Sequence, residues 1–330
     1  MASSRAIETL QLSFPSGRVA LPATEAYNDR NSSYASKLES DISPHAIFLP
    51  ETTAESKRET SSFAIRGAGC QPLPGCADIQ GGITLDLSRL VGTTLDETQG
   101  VVRIPAGERW AAVYKTVQEK GLAVTGARSD NNGIGGLALS GGLSFSGTRE
   151  GFISDNVVNY EVVLASGEVV NANRQENADL FIALRGGGNN LGIPALEKVK
   201  SIDGMVFSFT MQPYPVSLLK RTEPAGGNVL GLDPAGGPLV SILILLYWNK
   251  QSDDETVLGT ARGVIEAIDQ DATTKGALVP YKYLNYAFDF QDLIGSYGQE
   301  NRKKLQDASR KYDPDGLFQK GVPGGFKLFP

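Results

Sequence analysis

Histidine is nearly absent: the 330 residues hold one, His45. Ser-His-Asp triads, His-ligated metals and H-E-x-x-H zinc helices all need histidine in specific company, so the sequence offers none of them and no metal site. His45 lies in Ser43-Pro44-His45-Ala46-Ile47, ahead of an apolar run, and reads as a loop or strand-edge residue. Cysteine is almost as scarce. Cys70 and Cys76 are too few for a disulfide framework and lack zinc partners. No run of five Lys/Arg occurs and the formal charge is -6, which leaves no electrostatic footprint for nucleic acid or an anionic membrane. The longest strongly apolar run, Leu239 to Trp248, is too short to span a bilayer as a helix and reads as a buried strand. The start, MASSRAIETLQLSF, has no continuous apolar stretch of signal-peptide length, so the default expectation is a cytoplasmic chain. Asn31-Ser32-Ser33 fits a glycosylation sequon, a three-residue pattern that is common by chance.

Two nucleotide loops are missing as well. There is no Gly-Lys dipeptide and hence no Walker A loop, and no glycine cluster fits G-x-G-x-x-G, so a Rossmann fingerprint is absent.

What the chain does have is glycine, 38 residues of it, clustered without a repeat. Hydrophobic residues at 41% and charged residues at 21% are ordinary globular values, so the glycines belong to loops of a folded chain, not to a disordered one. Three clusters stand out: Arg66-Gly67-Ala68-Gly69-Cys70, Gly133-Ile134-Gly135-Gly136 running on to Gly141-Gly142, and Gly186 to Gly192. The first follows a strand candidate, Phe63-Ala64-Ile65, and its small residues would let successive backbone N–H groups form an anion-binding concavity. Tight turns are the alternative use.

Further strands are expected at Ala46 to Leu49, Thr84 to Leu87, Val101 to Ile104, Val157 to Leu164 and Glu168 to Val170, the last two joined by Ser166-Gly167. Trp110, Val113, Tyr114 and Val117 share one helical face, stopped by Gly121. Later elements are strands at Val206 to Met211 and 239–248, a helix with Val257, Ala261 and Ile265 on its apolar face and Asp253 or Asp254 as cap, and a charged helix from Gln299 to Tyr312.

The run FAIRGAGCQPLPGCADIQGGITLDLSRL, followed in order by NGIGGLALSGGLSFSGTREGFISDNVVNYEVVLASGEVVNAN, DLFIALRGGGNNLGI and the closing YLNYAFDFQDLIGSYG, resembles the berberine-bridge-enzyme-like branch of the vanillyl-alcohol oxidase flavoproteins. The resemblance covers roughly 45–200 and 281–329. It implies an α+β, two-subdomain PCMH-type FAD-binding fold with a shortened antiparallel-sheet substrate domain. The division it suggests is an FAD-binding domain over 40–200, a shortened lid over 201–280, and a C-terminal segment, 281–330, that completes the FAD site.

Carried over by position, Arg66, Gly67, Ala68, Gly69 and Cys70 would line the pyrophosphate. Gly133, Gly135, Gly136, Gly141 and Gly142 would pass close to the flavin, Val157 would flank the adenine side, and Gly188, Gly192 and Ile193 would close the site. Asn285 would lie near the ring, with Tyr283 or Tyr286 facing substrate and serving as base. Arg66 is open to a second reading, a buried ion-pair partner, and Asp289 and Asp292 are secondary acidic candidates. Cys70 stands where the family pattern has the histidine that carries flavin covalently, so the cofactor implied is noncovalent FAD. Pro194 also departs from the pattern. The implied activity is oxidation of an alcohol, amine or C–H group of a small secondary metabolite, with dioxygen as acceptor. Two alternatives stay open: a flavin-scaffold cyclase without net redox, and a truncated pseudoenzyme.

Overall fold

The computed structural model describes residues 2–52, 55, 62–164, 166–187, 206–322 and 324–329. Its first unit is a four-stranded sheet in the order β1-β2-β4-β3, made of β1 (Val19–Ala20), β2 (Ala46–Phe48), β3 (Phe63–Arg66) and β4 (Ile83–Asp86). β2 and β3 both run parallel to β4, whereas β1 closes the edge antiparallel to β2. Parallel strands need cover on both faces, and all three residues of β2 are buried. One face carries Phe48 and Ile83 against Ala6 and Leu10 of the helix Ala2–Ser13. The other face sets Ile47 and Leu49 against Tyr27 of the helix Glu25–Asn31. The sheet therefore recruits chain well upstream of residue 40, where the FAD-binding domain was expected to begin.

That first helix lies in a stretch whose overall polarity hid it. Ala6, Leu10 and Phe14 nevertheless recur every fourth residue, one row of a helix surface. His45 is exposed ahead of β2, and its backbone N–H donates to Gly82 O at 2.8 Å. Asn31 spends its side-chain amide on Ser40 O and Ile42 O, both at 3.0 Å, which is a structural use of the sequon asparagine.

Next come the hairpin β5 (Thr94–Asp96) and β6 (Val101–Arg103), then the helix Trp110–Gln118. Trp110 and Val113 pack with Ala127, Ile134, Ala138 and Ile153, so this helix carries the second glycine loop on its flank. Gly121, at φ +66°, ends the turn beyond the helix, as its freedom in the left-handed region allows. The hairpin β7 (Asn159–Val163) and β8 (Val169–Asn173) turns at Gly167, φ +81°. The helix Ala178–Leu184 covers it through Leu180 and Phe181.

Next is a two-stranded antiparallel sheet, β9 (Val206–Tyr214) and β10 (Leu239–Tyr247), with nine facing pairs. β9 runs past its expected end at Met211, through Pro213. A proline is tolerated there because a strand of a two-stranded sheet has an unpaired side for the missing N–H. The helix Asp254–Thr274 follows with Asp253 at the N-cap position, but Asp253 makes no cap hydrogen bond and Asp254 accepts from Trp248 Nε1 at 2.6 Å. The expected helix over 299–312 forms within those bounds.

The largest core joins distant parts of the chain. Phe152, Tyr214, Leu218, Val229 and Leu230 pack with Tyr283, Leu284, Leu293, Tyr297 and Leu305. Val229 and Leu230 are fully buried although they lie in the Pro/Gly-rich stretch, and Gly231 lets the chain pass Tyr297. A Cβ at Gly231 would come within 2.3 Å of Tyr297 O. The C-terminal segment is thus held against both β9 and the second glycine region.

Candidate functional site

Directly after β3 the chain enters the loop Arg66 to Cys70. Gly69 has φ +67°, and a Cβ there would meet Arg66 Nε and the Tyr34 ring at 3.0 Å, so conformation and space both require glycine. Among the described residues, the N–H groups of Ala68, Gly69 and Cys70 have no protein acceptor. Three successive donors without a protein acceptor are what an anion-binding nest would use. Gly67 is open on its side-chain face, its nearest neighbour being Ala106 O at 3.9 Å.

The guanidinium of Arg66 is not part of that nest. It is 1% exposed, donates to Arg30 O at 2.5 Å and to Ser33 Oγ at 2.8 Å, and lies 3.7 Å from the Tyr34 ring centroid. Asp86, 3.7 Å away, is itself held by Arg30 at 2.6 Å. Of its two readings, the buried ion-pair partner is the one these contacts match. The guanidinium supports the loop from beneath because its reach is taken up by those neighbours.

A buried carboxyl supports the segment that follows. Glu39, fully buried, accepts from Ala77 N–H at 2.9 Å and Gly75 N–H at 3.3 Å, so it holds the segment that follows the nest. Burial pushes its carboxyl up to about 7, with the hydrogen bond from Ala77 acting in the opposite direction. Asp78 is raised for the same reason, with its bond from Thr84 opposing.

The second glycine loop abuts the first. A Cβ on Gly133 would lie 2.5 Å from the Ala68 methyl. Arg109 ties the two together by donating to Ala68 O at 3.1 Å and also to Asn131 O. Cys70 is exposed, with its Sγ 3.8 Å from both Ala68 O and Asn131 O, and it is a free thiol. Gly135 and Gly136 have nothing within 4 Å on their side-chain faces, so the backbone there is open to close approach. Gly141 and Gly142 differ. Their φ angles are +89° and +77°, and a Cβ on Gly142 would come within 2.9 Å of Ile153, so protein packing already accounts for both. Val157 heads the β7 hairpin, where its carbonyl accepts from Arg185 at 2.8 Å. Gly188, Gly192, Ile193 and Pro194 lie outside the described residues.

The C-terminal motif reaches the same place from 214 residues away. Gln71 Nε2 donates to Asn285 Oδ1 at 3.4 Å, and Asn285 Nδ2 donates to the Tyr283 hydroxyl at 2.9 Å. The rings of Tyr283 and Tyr286 meet edge to face at 4.6 Å. Arg128, just ahead of the second loop, donates to the Tyr286 hydroxyl at 2.9 Å and to Gln212 of β9. Burial raises the Tyr283 hydroxyl well above the ordinary tyrosine value; the bond from Asn285 and the charge of Arg128 oppose that. Asp292 caps its own turn through Gly295 N–H at 2.9 Å, and Asp289 is exposed. Neither acid is brought to the tyrosines by a hydrogen bond. Arg109, Arg128 and Gln71 were missed in the sequence, although Arg128 stands out there as a charge placed among small residues just ahead of the glycines.

A family model described as an FAD binding domain matches residues 48–173. The FAD-dependent monooxygenase prx3 of Penicillium roqueforti is 40% identical over 441 aligned positions, which cover 86% of this chain and 86% of that protein. Among solved structures, the carbohydrate oxidase from Microdochium nivale has a TM-score of 0.69 at 17% identity, covering 96% of this chain and 98% of that one. The 6-hydroxy-D-nicotine oxidase from Arthrobacter nicotinovorans also gives 0.69, at 16% identity, covering 93% and 97%. The two structural likenesses establish the fold.

Fold, nest and relatives define an FAD-binding oxidoreductase on the berberine-bridge-like scaffold. The chain belongs to the family of FAD-dependent monooxygenases that includes prx3. Its alignment with that relative is longer than the chain itself, so prx3 carries insertions with no counterpart here. The donors present fit FAD: an unfilled N–H nest for the pyrophosphate and open glycine backbone beside it. Among the described residues no group of three or more His, Cys, Asp or Glu could hold a metal, and no helix is long and apolar enough to cross a membrane.

Proposed function

We propose that the chain oxidises a small secondary metabolite at an alcohol, amine or C–H carbon, with dioxygen as the final acceptor. The observation that carries this reading is the convergence of the nest (through Gln71), the second loop (through Arg128) and the tyrosine motif. Bound FAD supplies hydride acceptance at N5 and subsequent reaction with dioxygen. The chain's residues do the rest. The N–H groups of Ala68, Gly69 and Cys70 hold the pyrophosphate, and the open backbone at Gly135 and Gly136 admits the cofactor. Asn285 orients Tyr283 and is itself fixed by Gln71.

Tyr286 is the proton acceptor in this reading, because its hydroxyl is the one bonded to a cation. Tyr283, whose hydroxyl is raised by burial, packs and orients. Attachment of the cofactor is noncovalent, since the position that carries the family's histidine is Cys70. The FAD-binding part over 40–200, the lid over 201–280 and the completing segment 281–330 work as one site.

The test is an anaerobic flavin spectrum. Oxidation requires the band near about 450 nm to bleach on adding substrate. Turnover without bleaching would replace oxidation by a cyclase reaction on the flavin scaffold, and colourless protein would leave a pseudoenzyme. The relatives are named monooxygenases, so product from an isotopically labelled dioxygen experiment separates insertion of oxygen from simple oxidation.

A further inference from the structure

Arg109 is fixed at its root. Its backbone pairs with Gly133, the next two N–H groups donate to Asn132 O at 3.1 Å and Asp130 O at 2.9 Å, and the neighbouring Trp110 ring is buried. The side chain is exposed and makes no salt bridge among the described residues; the adjacent Glu108 accepts from Gly92 N–H at 2.7 Å. Its guanidinium instead donates to two carbonyl oxygens, one on each glycine loop: Ala68 O at 3.1 Å and Asn131 O. The first of these belongs to the peptide that carries the Gly69 N–H. A trans peptide is planar and its C=O and N–H point opposite ways, so a donor that fixes Ala68 O also fixes the Gly69 N–H, directed away from the guanidinium. The next peptide is held alike: Gly69 O accepts from Ala35 N–H at 2.9 Å, which fixes the Cys70 N–H. Two of the loop's three N–H groups without a protein acceptor are thus aimed from the far side of their own peptides. Only one of the two holders is a side chain, and it is a cation. By drawing electron density toward Ala68 O it also makes the Gly69 N–H a stronger donor. The charge of Arg66, beneath the same loop, goes to Arg30 O and Ser33 Oγ.

We infer that Arg109 is the positioning residue of the anion site: it sets and polarises the Ala68–Gly69 peptide, from the side opposite to the anion, so that the Gly69 N–H receives a diphosphate. This rests on the assignment of Ala68 to Cys70 to the cofactor's pyrophosphate. Because the same guanidinium also holds Asn131 O, it keeps the second loop in register with the peptide it aims.

The experiment titrates FAD, ADP and adenosine calorimetrically into the full-length chain freed of flavin, as wild type, Arg109→Met and Arg109→Lys. ADP and adenosine differ by the diphosphate alone, so their ratio of affinities reads the anion site, and in the wild type ADP is expected to bind roughly tenfold or more tighter. Arg109→Met is expected to weaken ADP and FAD by one common factor, roughly tenfold to a hundredfold, and to leave adenosine unchanged. Arg109→Lys keeps the charge without the planar fork and should recover part of that loss. Circular dichroism of each variant is read first, and Arg109→Gln, neutral but polar, takes the place of an unfolded Arg109→Met. No preference for ADP in the wild type, an unchanged preference in the neutral variant, or a loss that adenosine shares equally overturns the inference, the last because it marks a purely structural tie between the loops. A wild type that binds no FAD, with the ADP preference and its dependence on Arg109 intact, sinks the flavin reading and leaves the positioning role of Arg109 standing.

Discussion

Gly133 lies against Ala68 so closely that a methyl group on Gly133 would sit 2.5 Å from the Ala68 side chain. Two glycine loops 65 residues apart in sequence are therefore in direct contact. Replacing Gly133 with Ala must push the loops apart, at a cost of about 1–3 kcal/mol typical of overpacking. The purified variant is expected to lose flavin, read as the ratio of visible to protein absorbance, while its far-ultraviolet circular dichroism stays native. Gly136→Ala, whose Cβ would have no neighbour within 4 Å, separates crowding by protein from crowding by cofactor. It should keep the apoprotein's stability and still bind flavin less well.

Tyr283 and Tyr286 make opposite predictions although they share a ring contact. Tyr286→Phe removes the hydroxyl that Arg128 holds and should lower turnover by roughly a hundredfold to ten-thousandfold, the usual worth of a positioned base. Its flavin content should match the wild type. Tyr283→Phe leaves Asn285 without its acceptor and should lower turnover far less. Equal losses in the two variants, measured as kcat with the substrate oxidised in the anaerobic assay, would remove the distinction drawn between them.

Much of this was legible in the chain before folding, and the exceptions have a common cause. The helix over 299–312, the strand from 239 and the glycine loop after Phe63-Ala64-Ile65 are local patterns of period, turn residue and cap. Gln71, Arg109 and Arg128 carry no such pattern. Their importance comes from partners far away in sequence, Asn285 for Gln71 and Tyr286 for Arg128, which only the folded chain brings near. Arg66 shows the reverse. Its place in the motif was visible, but its direction depended on Tyr34, Ser33 and Asp86, which no spacing rule ties to it.

Arg66 should therefore behave as a structural ion, not as a phosphate ligand. Arg66→Met leaves Asp86 paired with Arg30 but removes the donors to Arg30 O and Ser33 Oγ, and is expected to cost about 1–3 kcal/mol in urea unfolding, in apoprotein as much as in holoprotein. Arg66→Lys keeps the charge but cannot reproduce the planar contacts to Arg30 O, Ser33 Oγ and the Tyr34 ring, so little of the stability should return. A loss confined to flavin affinity, with apoprotein stability unchanged, would return the residue to the phosphate.

Glu39 gives the fold a pH dependence opposite to that of a salt-bridged acid. Its carboxyl is lifted from the ordinary 4.5 to about 7 in the folded chain, first by burial. Between those values the folded chain retains a proton that the unfolded chain has released, so the slope of unfolding free energy with pH is negative for this group. Its favourable state is fully present below about pH 4.5, is lost progressively as pH rises toward 7, and is gone above that. Glu39→Gln keeps one oxygen, enough to accept from either Gly75 or Ala77 but not both, and has no proton to lose. The thermal midpoint of the wild type should thus fall relative to the variant from about pH 4.5 to 7 and then run parallel to it. Parallel curves across the whole range would show that Glu39 does not hold its proton in the folded chain.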